Sequence, residues 1–422
     1  MALFNHKVSF TEILKEIPQE EFIRIAKETR IDRYSKVLSG KLMFELLLYG
    51  MLRINKLSQR GLSDAFSSPF FRAIFPIKKE GTISHSSISE RLSKIELSFF
   101  RQVYECLYER FSHLYTKKEI SGMYLERVDS SLVLESCNKL KEGLIYGNQN
   151  YKGKMIKYTF NFDGMFASLG HVYTQKQYAS EAYPLSHNIL EHYQSVLKYC
   201  KKEAEHATVY LFDRGQNSTD AFKELKQKTG LLFVGRMLEN RKLKILEELP
   251  LQKECFTHGD LMQDALVQIY KKEELTYHNG KPSHHSSLCE EEFRIVRFKP
   301  QTQASPILLI TNIMNLQAND IAGMYKKRWD IEVYFRFLKQ ELNFSHFLSL
   351  DPNGIQVVMY MTMITAMLVM IYKKENRIGY KTAVRRMMME LEGMIMAISV
   401  IQSGGDLSKT NLATQCFPDV YP

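Results

Sequence analysis

The sequence predicts an α/β protein, in which a sheet of mixed strand direction is flanked by helices and lies between two helical regions. Three observations predict it. Residues 1 to about 120, and again those beyond 345, carry apolar residues at helical spacing. Between them, β-forming and helical runs follow the order strand, hairpin, helix, strand, helix, strand. Hydrophobic residues make up 45% of the 422, enough for a packed core.

The elements follow in chain order. Phe22, Ile25, Ala26 and Thr29 recur at helical spacing, and residues 42–52 form a strongly apolar helix. Residues 84–92 read as a short helix behind a Ser-rich cap. Paired with residues 57–66, that helix is either a helix-turn-helix that touches DNA or part of an ordinary bundle. The character changes near residue 122, and residues 123–134 carry β-formers. Residues 155–162 and 166–174 flank Asp163-Gly164, and Asp-Gly between alternating apolar runs signals a hairpin. Residues 188–204 read as a helix, 208–212 as a buried strand, 219–228 as a helix and 231–234 as a strand.

Residues 237–305 break this rhythm and read as a β-rich insertion. Short alternating runs occur at 265–271, 293–298 and 307–311, with a polar loop at 279–287. Helix resumes at Ala318 and runs to about Leu342, and the tail is again helical. The expected divisions are therefore 1–120, a helical DNA-binding region; 121–236, the first part of the α/β core; 237–305, the insertion; 306–350, the end of the core; and 351–422, a helical C-terminal region.

The formal net charge is +10 and the pI about 9.0, which calls for an anionic partner, either nucleic acid or an acidic membrane surface. No run of five or six like charges appears, so there is no basic tail. The six cysteines form no C-x-x-C pair, which indicates neither a disulfide framework nor a zinc site and fits a reducing cytoplasm. Residues 1–16 lack a signal peptide's apolar core. Residues 355–372 are almost wholly apolar but include Gln356, Thr362 and Thr365, so a buried helix is expected rather than a membrane span.

Chemistry concentrates on the helix expected at 318–342. Tyr325, Arg328 and Lys339 lie at offsets of −7, −4 and +7 from Glu332. At 100° per residue these four fall within a sector of roughly 60°. Arg336, at +4, extends the stripe, while Trp329, Ile331, Val333, Phe335 and Leu338 make the remaining circumference apolar. A carboxylate flanked by cations is thus presented to something specific. Asp129 lies in the first strand and Asp213 at the end of a buried one, where a carboxylate is costly unless paired or metal-bound. Strand-end and turn caps are the plain alternatives for these two, and the hairpin accounts for Asp163. Three carboxylates from two strands and a helix can hold two divalent ions, which activate an attacking oxygen and stabilise the leaving oxygen of a phosphodiester. Hard oxygen ligands favour Mg²⁺ or Mn²⁺, and nearby Arg and Lys hold phosphates.

The spacing Tyr325-x₂-Arg328-x₃-Glu332-x₆-Lys339 resembles the Y–R–E–K signature of DDE transposases of the insertion-sequence-four group. Val128-Asp129-Ser130-Ser131 is similar to that family's first Asp box and Asp213-Arg214-Gly215 to its second; residues 57–63 are similar to its leading domain. The resemblance covers about residues 120–350. It implies an RNase-H-like core with a β-rich insertion before the last catalytic carboxylate. It also implies cut-and-paste transposition: metal-dependent cleavage and strand transfer on double-stranded DNA, at terminal inverted repeats and target, through a hairpin intermediate. Asp129, Asp213 and Glu332 would hold two Mg²⁺ or Mn²⁺ ions, and Tyr325, Arg328, Arg336, Lys339 and Arg214 would contact DNA. A homodimer in the synaptic complex and a bacterial, nucleoid-associated location in the cytoplasm are implied as well, with no membrane partner.

One departure stands out. Hairpin-forming relatives hold a flipped base with a Trp in the insertion, whereas the single Trp here is Trp329 in the signature helix. Phe256, Tyr270, Tyr277 and Phe293 are the candidates to replace it. The competing functions are a metal-dependent nuclease or resolvase on the same core, and a domesticated DNA-binding protein.

Overall fold

The computed structural model describes residues 7–53, 57–75, 77, 81–135, 140, 144–147, 152–173, 185–199, 208–215, 218–228, 230–278, 281–344 and 348–406. It opens with helices α1 (Phe10–Lys15), α2 (Gln19–Thr29), α3 (Gly40–Arg53), α4 (Gln59–Ser67), α5 (Pro69–Ile74), α6 (His85–Lys94) and α7 (Leu97–Tyr115). Ser84 caps α6 as expected, its hydroxyl accepting the Ser87 N–H at 3.1 Å. α5 intervenes between α4 and α6, so these two are not the consecutive helices of a helix-turn-helix. Leu62, Phe66, Ile88 and Leu92 instead face one bundle core.

The sheet comprises β1 (Tyr124–Glu135), β2 (Leu144–Gly147), β3 (Lys152–Phe162), β4 (Ala167–Tyr173), β5 (Thr208–Phe212), β6 (Leu232–Met237), β7 (Leu243–Glu248), β8 (Asp260–His278), β9 (Lys281–Lys299) and β10 (Ile307–Thr311). Helix α8 (Leu185–Tyr199) precedes β5, and α9 (Thr219–Gln227) precedes β6. The spatial order is β2-β3-β1-β5-β6-β10-β9-β8-β7, with β4 also on β3. β1, β5 and β6 run parallel; the other pairings are antiparallel. This is the mixed α/β sheet the sequence predicts. The hairpin at Asp163 is present: Gly164 takes φ +92°, and Asp163 Oδ1 accepts the N–H groups of Met165 and Phe166, each at 2.7 Å.

The sheet differs from the sequence reading in local detail. β2 was not foreseen. Residues 281–287 are strand, not loop, because β8 and β9 form a hairpin of two 19-residue strands whose far half is polar. The strands of residues 237–305 continue the main sheet through β10.

Helices cover both faces. On one, Ile189 and Tyr193 of α8 and Phe222 and Leu225 of α9 pack on Val128, Tyr210, Phe212 and Phe233. On the other, Ile321, Ala322 and Met324 of α10 (Ala318–Lys327) pack on Leu125, Val209, Leu211 and Val234. The next helix, α11 (Trp329–Glu341), carries Tyr334 onto the Phe162 ring, with centroids 4.7 Å apart.

α12 (Pro352–Glu375) and α13 (Tyr380–Gln402) join the N-terminal helices and α11 in one hydrophobic core, so the two helical ends of the chain form a single body. α12 is long and apolar enough to cross a membrane, yet 83% of its most apolar window is buried in protein. Its Thr362 and Thr365 hydroxyls donate to the Val358 and Met361 carbonyls, each at 2.8 Å, which lets them sit in that core.

Candidate active site

Strand register brings the first two carboxylates together. In the parallel pair β1–β5, Arg127 stands opposite Leu211. Two residues further along each strand, Asp129 faces the position of Asp213. Paired residues of neighbouring strands point to the same face and lie about 5 Å apart. Both acids therefore project onto the face covered by α10, Asp129 just past the end of the β1–β5 pairing and Asp213 just after β5. Burial holds the Asp129 carboxyl up at about 6, the Ser130 N–H opposes this, and the Asp213 and Glu332 carboxylates push it higher. The three acids thus share one electrostatic neighbourhood.

The third acid arrives through Arg328. Its guanidinium donates to Asp129 Oδ2 at 3.4 Å and also to Glu332 Oε1, bridging strand and helix. Its Nε is buried without a hydrogen-bond partner, so the site retains an unmet donor. The single helix expected at 318–342 is in fact two, α10 and α11, joined at Arg328. At this junction the Ile331 N–H bonds the Arg328 carbonyl rather than that of Lys327.

Arg127 secures the junction. Its side chain is fully buried, two residues before Asp129 on the same strand face. Its Nε donates to the Lys327 carbonyl at 3.2 Å and Nη2 to Asp330 Oδ2 at 3.1 Å. Nη1 and Nη2 also meet the two Glu119 carboxylate oxygens, each at 2.7 Å. Lys327 and Asp330 bracket Arg328, so β1 grips the chain on both sides of the residue that ties Glu332 to Asp129.

The remaining signature residues fall unequally. Tyr325 is buried, its hydroxyl pKa is raised by that burial, and the Arg328 guanidinium lies 5.9 Å from its ring centroid. Half-buried Lys339 has its ammonium pKa lowered by burial, while Asp129 acts in the opposite sense. Arg336 and Arg214 are exposed. Asp213 Oδ1 also accepts the Gly215 N–H at 2.8 Å, so its turn-capping role is real. Trp329 does not pack in the apolar stripe as expected: it is 52% exposed.

Sequence reasoning missed Arg236. The β5–β6 register sets Leu211 against Val234, which puts Arg236 next to the position of Asp213 on the same face. Asp129, Asp213 and Arg236 thus form a row across three parallel strands. Arg236 also acts electrostatically on Tyr325, and among the described residues its side chain makes no hydrogen bond or ion pair. Its signal was weak, because it lies two residues beyond the expected strand.

Residues 147–368, more than half of the chain, match the family described as the transposase DDE domain. The chain belongs to this family. The matched region contains Asp213, Arg328 and Glu332 and begins beyond Asp129. The chain is 27% identical over 177 residues to a Sinorhizobium fredii protein named "Putative transposase y4zB", covering 41% of this chain and 45% of that one. It is 27% identical over 136 residues to the "Probable transposase for insertion sequence element IS5377" of Geobacillus stearothermophilus, covering 32% and 31%. The matches thus span less than half of each relative's length. A solved piggyBac transposase synaptic complex with hairpin DNA is similar over 99% of this chain and 86% of that one, at TM-score 0.46 and 12% identity.

The donor set of this DDE chain suits a hard divalent cation: carboxylate oxygens, one of them disfavoured as an anion by burial and by the other two acids. Among the described residues, however, no group of three His, Cys, Asp or Glu side chains is gathered closely enough to form a cage. Arg328 sits as the bridging cation between Asp129 and Glu332. A metal ion at these two acids would therefore replace Arg328 as their counter-charge.

Proposed function

We propose that this protein is a transposase of a bacterial insertion sequence that cleaves and joins DNA strands at Asp129, Asp213 and Glu332. One observation carries the reading: the register of neighbouring parallel strands β1 and β5 sets Asp129 beside Asp213 on one face, and Arg328 draws Glu332 to them. The strand order β4-β3-β1-β5-β6, antiparallel then parallel, supports an RNase-H-like core. The insertion-sequence-four signature is supported by Tyr325, Arg328 and Lys339 lying within electrostatic reach of these acids.

Asp129, Asp213 and Glu332 would hold two Mg²⁺ or Mn²⁺ ions, which supply activation of the attacking oxygen and charge stabilisation of the leaving one. Arg328, once exchanged from the carboxylates, offers its forked donors to the scissile phosphate. Lys339, Arg236 and Tyr325 flank that phosphate, while exposed Arg214 and Arg336 meet DNA further out. The partners are terminal inverted repeats and target DNA, bound by a homodimer in the synaptic complex, in the bacterial cytoplasm. Residues 1–120 contribute DNA binding, 121–236 and 306–350 the core, 237–305 the insertion and 351–422 the C-terminal helices. For a hairpin step, Tyr270 is the best described aromatic, since Phe256 and Phe293 are buried in the core and the Tyr277 side chain lies outside the described residues.

The test is a cleavage and strand-transfer assay on duplexes carrying the element's ends, with Asp129→Ala, Asp213→Ala and Glu332→Ala. Each should abolish Mg²⁺-dependent cleavage while binding persists. Full cleavage by all three would sink the site. Cleavage without joined products would mark a nuclease, and binding alone a domesticated protein.

A further inference from the structure

The helical body carries a second basic feature, at the end of α2. Ala26, Lys27, Arg30, Asp32 and Arg33 line an open groove of about 560 Å³. The groove carries a net positive charge, three cations against the single carboxylate of Asp32. On the same helix Arg24 takes up both Glu21 and Glu28, at 2.6 and 2.7 Å, so neither acid neutralises the groove. Asp32 Oδ1 accepts the Gly40 N–H at 2.6 Å. Among the described residues, Lys27, Arg30 and Arg33 make no side-chain hydrogen bond or ion pair, and all three are exposed.

The loop is nevertheless held in place. Arg91 of α6 donates to the Ile31 carbonyl at 2.8 Å and to the Leu38 carbonyl at 2.9 Å. Arg30 ends α2 with φ 51°, a left-handed conformation that Gly or Asn usually supplies. Tyr34 is 82% exposed, and the Arg33 guanidinium lies 5.3 Å from its ring centroid. The ring covers one face of the guanidinium and leaves its edge donors free, which pre-orients them for a phosphate. Three unpaired cations, a fixed loop and a solvent-facing aromatic are the recognition chemistry of a nucleic-acid backbone.

We propose that Lys27, Arg30 and Arg33, with Tyr34 beside them, form a phosphate-backbone clamp for double-stranded DNA, separate from the carboxylate site. It rests on the reading of this chain as a DNA-acting transposase and adds where the helical body grips the duplex. The clamp neutralises phosphates without reading bases, so its contribution is independent of sequence and steep in salt.

The experiment measures Kd for a 30-base-pair duplex against salt concentration, using full-length wild type and a Lys27→Gln/Arg30→Gly/Arg33→Gln variant. Arg30→Gly suits the left-handed position, so the fold is not put at risk there. Each lost phosphate contact lowers the log–log slope by about 0.9. The triple variant should lose about 2–3 from the slope, and its Kd should rise at least tenfold near 0.1 M salt. A control variant removes three exposed cations of α13, Lys381→Gln/Arg385→Gln/Arg386→Gln, and should keep most of the wild-type slope. An unchanged slope in the first variant, or an equal loss in both, overturns the clamp. Failure of the wild-type protein to bind DNA at all would instead overturn the transposase reading.

Discussion

Asp129→Asn should make the protein more stable at neutral pH. The Asp129 carboxyl is raised from 3.8 to about 6, chiefly by burial and further by Asp213 and Glu332. The shift is about two units, each worth 1.36 kcal/mol, so ionised Asp129 costs the folded state up to about 3 kcal/mol. The side chain keeps 21% of its surface exposed, which makes this an upper bound. In the window between the two pKa values the folded state binds more protons than the unfolded chain. Stability is therefore full below about pH 4 and falls as pH rises toward 6. Asn retains an acceptor for Arg328 and the Ser130 N–H without the charge. Urea denaturation of wild type and variant between pH 4 and 8 measures the effect. The variant should gain about 2–3 kcal/mol over wild type above pH 6.5 and nothing at pH 4. Mg²⁺ should stabilise wild type and leave the variant largely unmoved. A variant no more stable than wild type at pH 7, or a gain that persists at pH 4, would refute the electrostatic account.

Burial lowers the His192 imidazole to about 4, so its contribution falls as pH drops from about 6.5 toward 4, by about 3 kcal/mol. It opposes Asp129 across nearly the same window, and His192→Gln should therefore remove this loss and leave stability rising as pH falls from about 6 to 4. Arg127→Met leaves Glu119 and the Lys327 and Leu125 carbonyls without their donor. It should cost about 3–5 kcal/mol in denaturant titration, and loss of less than 1 kcal/mol would argue against a fixed junction. Gly235→Ala sets a Cβ into the Phe212 ring and should cost about 1–3 kcal/mol, a result that unchanged thermal melting would contradict.

The legibility of the site followed the range of the interactions that build it. Glu332 and its stripe were readable because helical periodicity is local. The helix is broken at Arg328, yet its residues keep their relative spacing, and the reason is geometric. Arg328 keeps φ −54° and ψ −33° at the junction, close to helical values, so the angular phase of side chains passes through the break almost unchanged. Period analysis sees phase and not hydrogen bonds, so it could not show the interruption. Asp129, Asp213 and Arg236 form a row only because β1, β5 and β6 are neighbours in register, a long-range fact that alternation within each strand does not contain. The far half of the β8–β9 hairpin was hidden for the converse reason: its polar strands carry no buried stripe to announce them. Arg127 was the least legible residue. A charged side chain in a strand reads as solvent-facing, and nothing local reveals that its partners arrive about 200 residues later. Yet it faces the same side as Asp129 and grips the backbone on both sides of Arg328. One buried guanidinium thus ties the helix junction, and with it the residue that bridges the carboxylates, to strand β1 of the sheet.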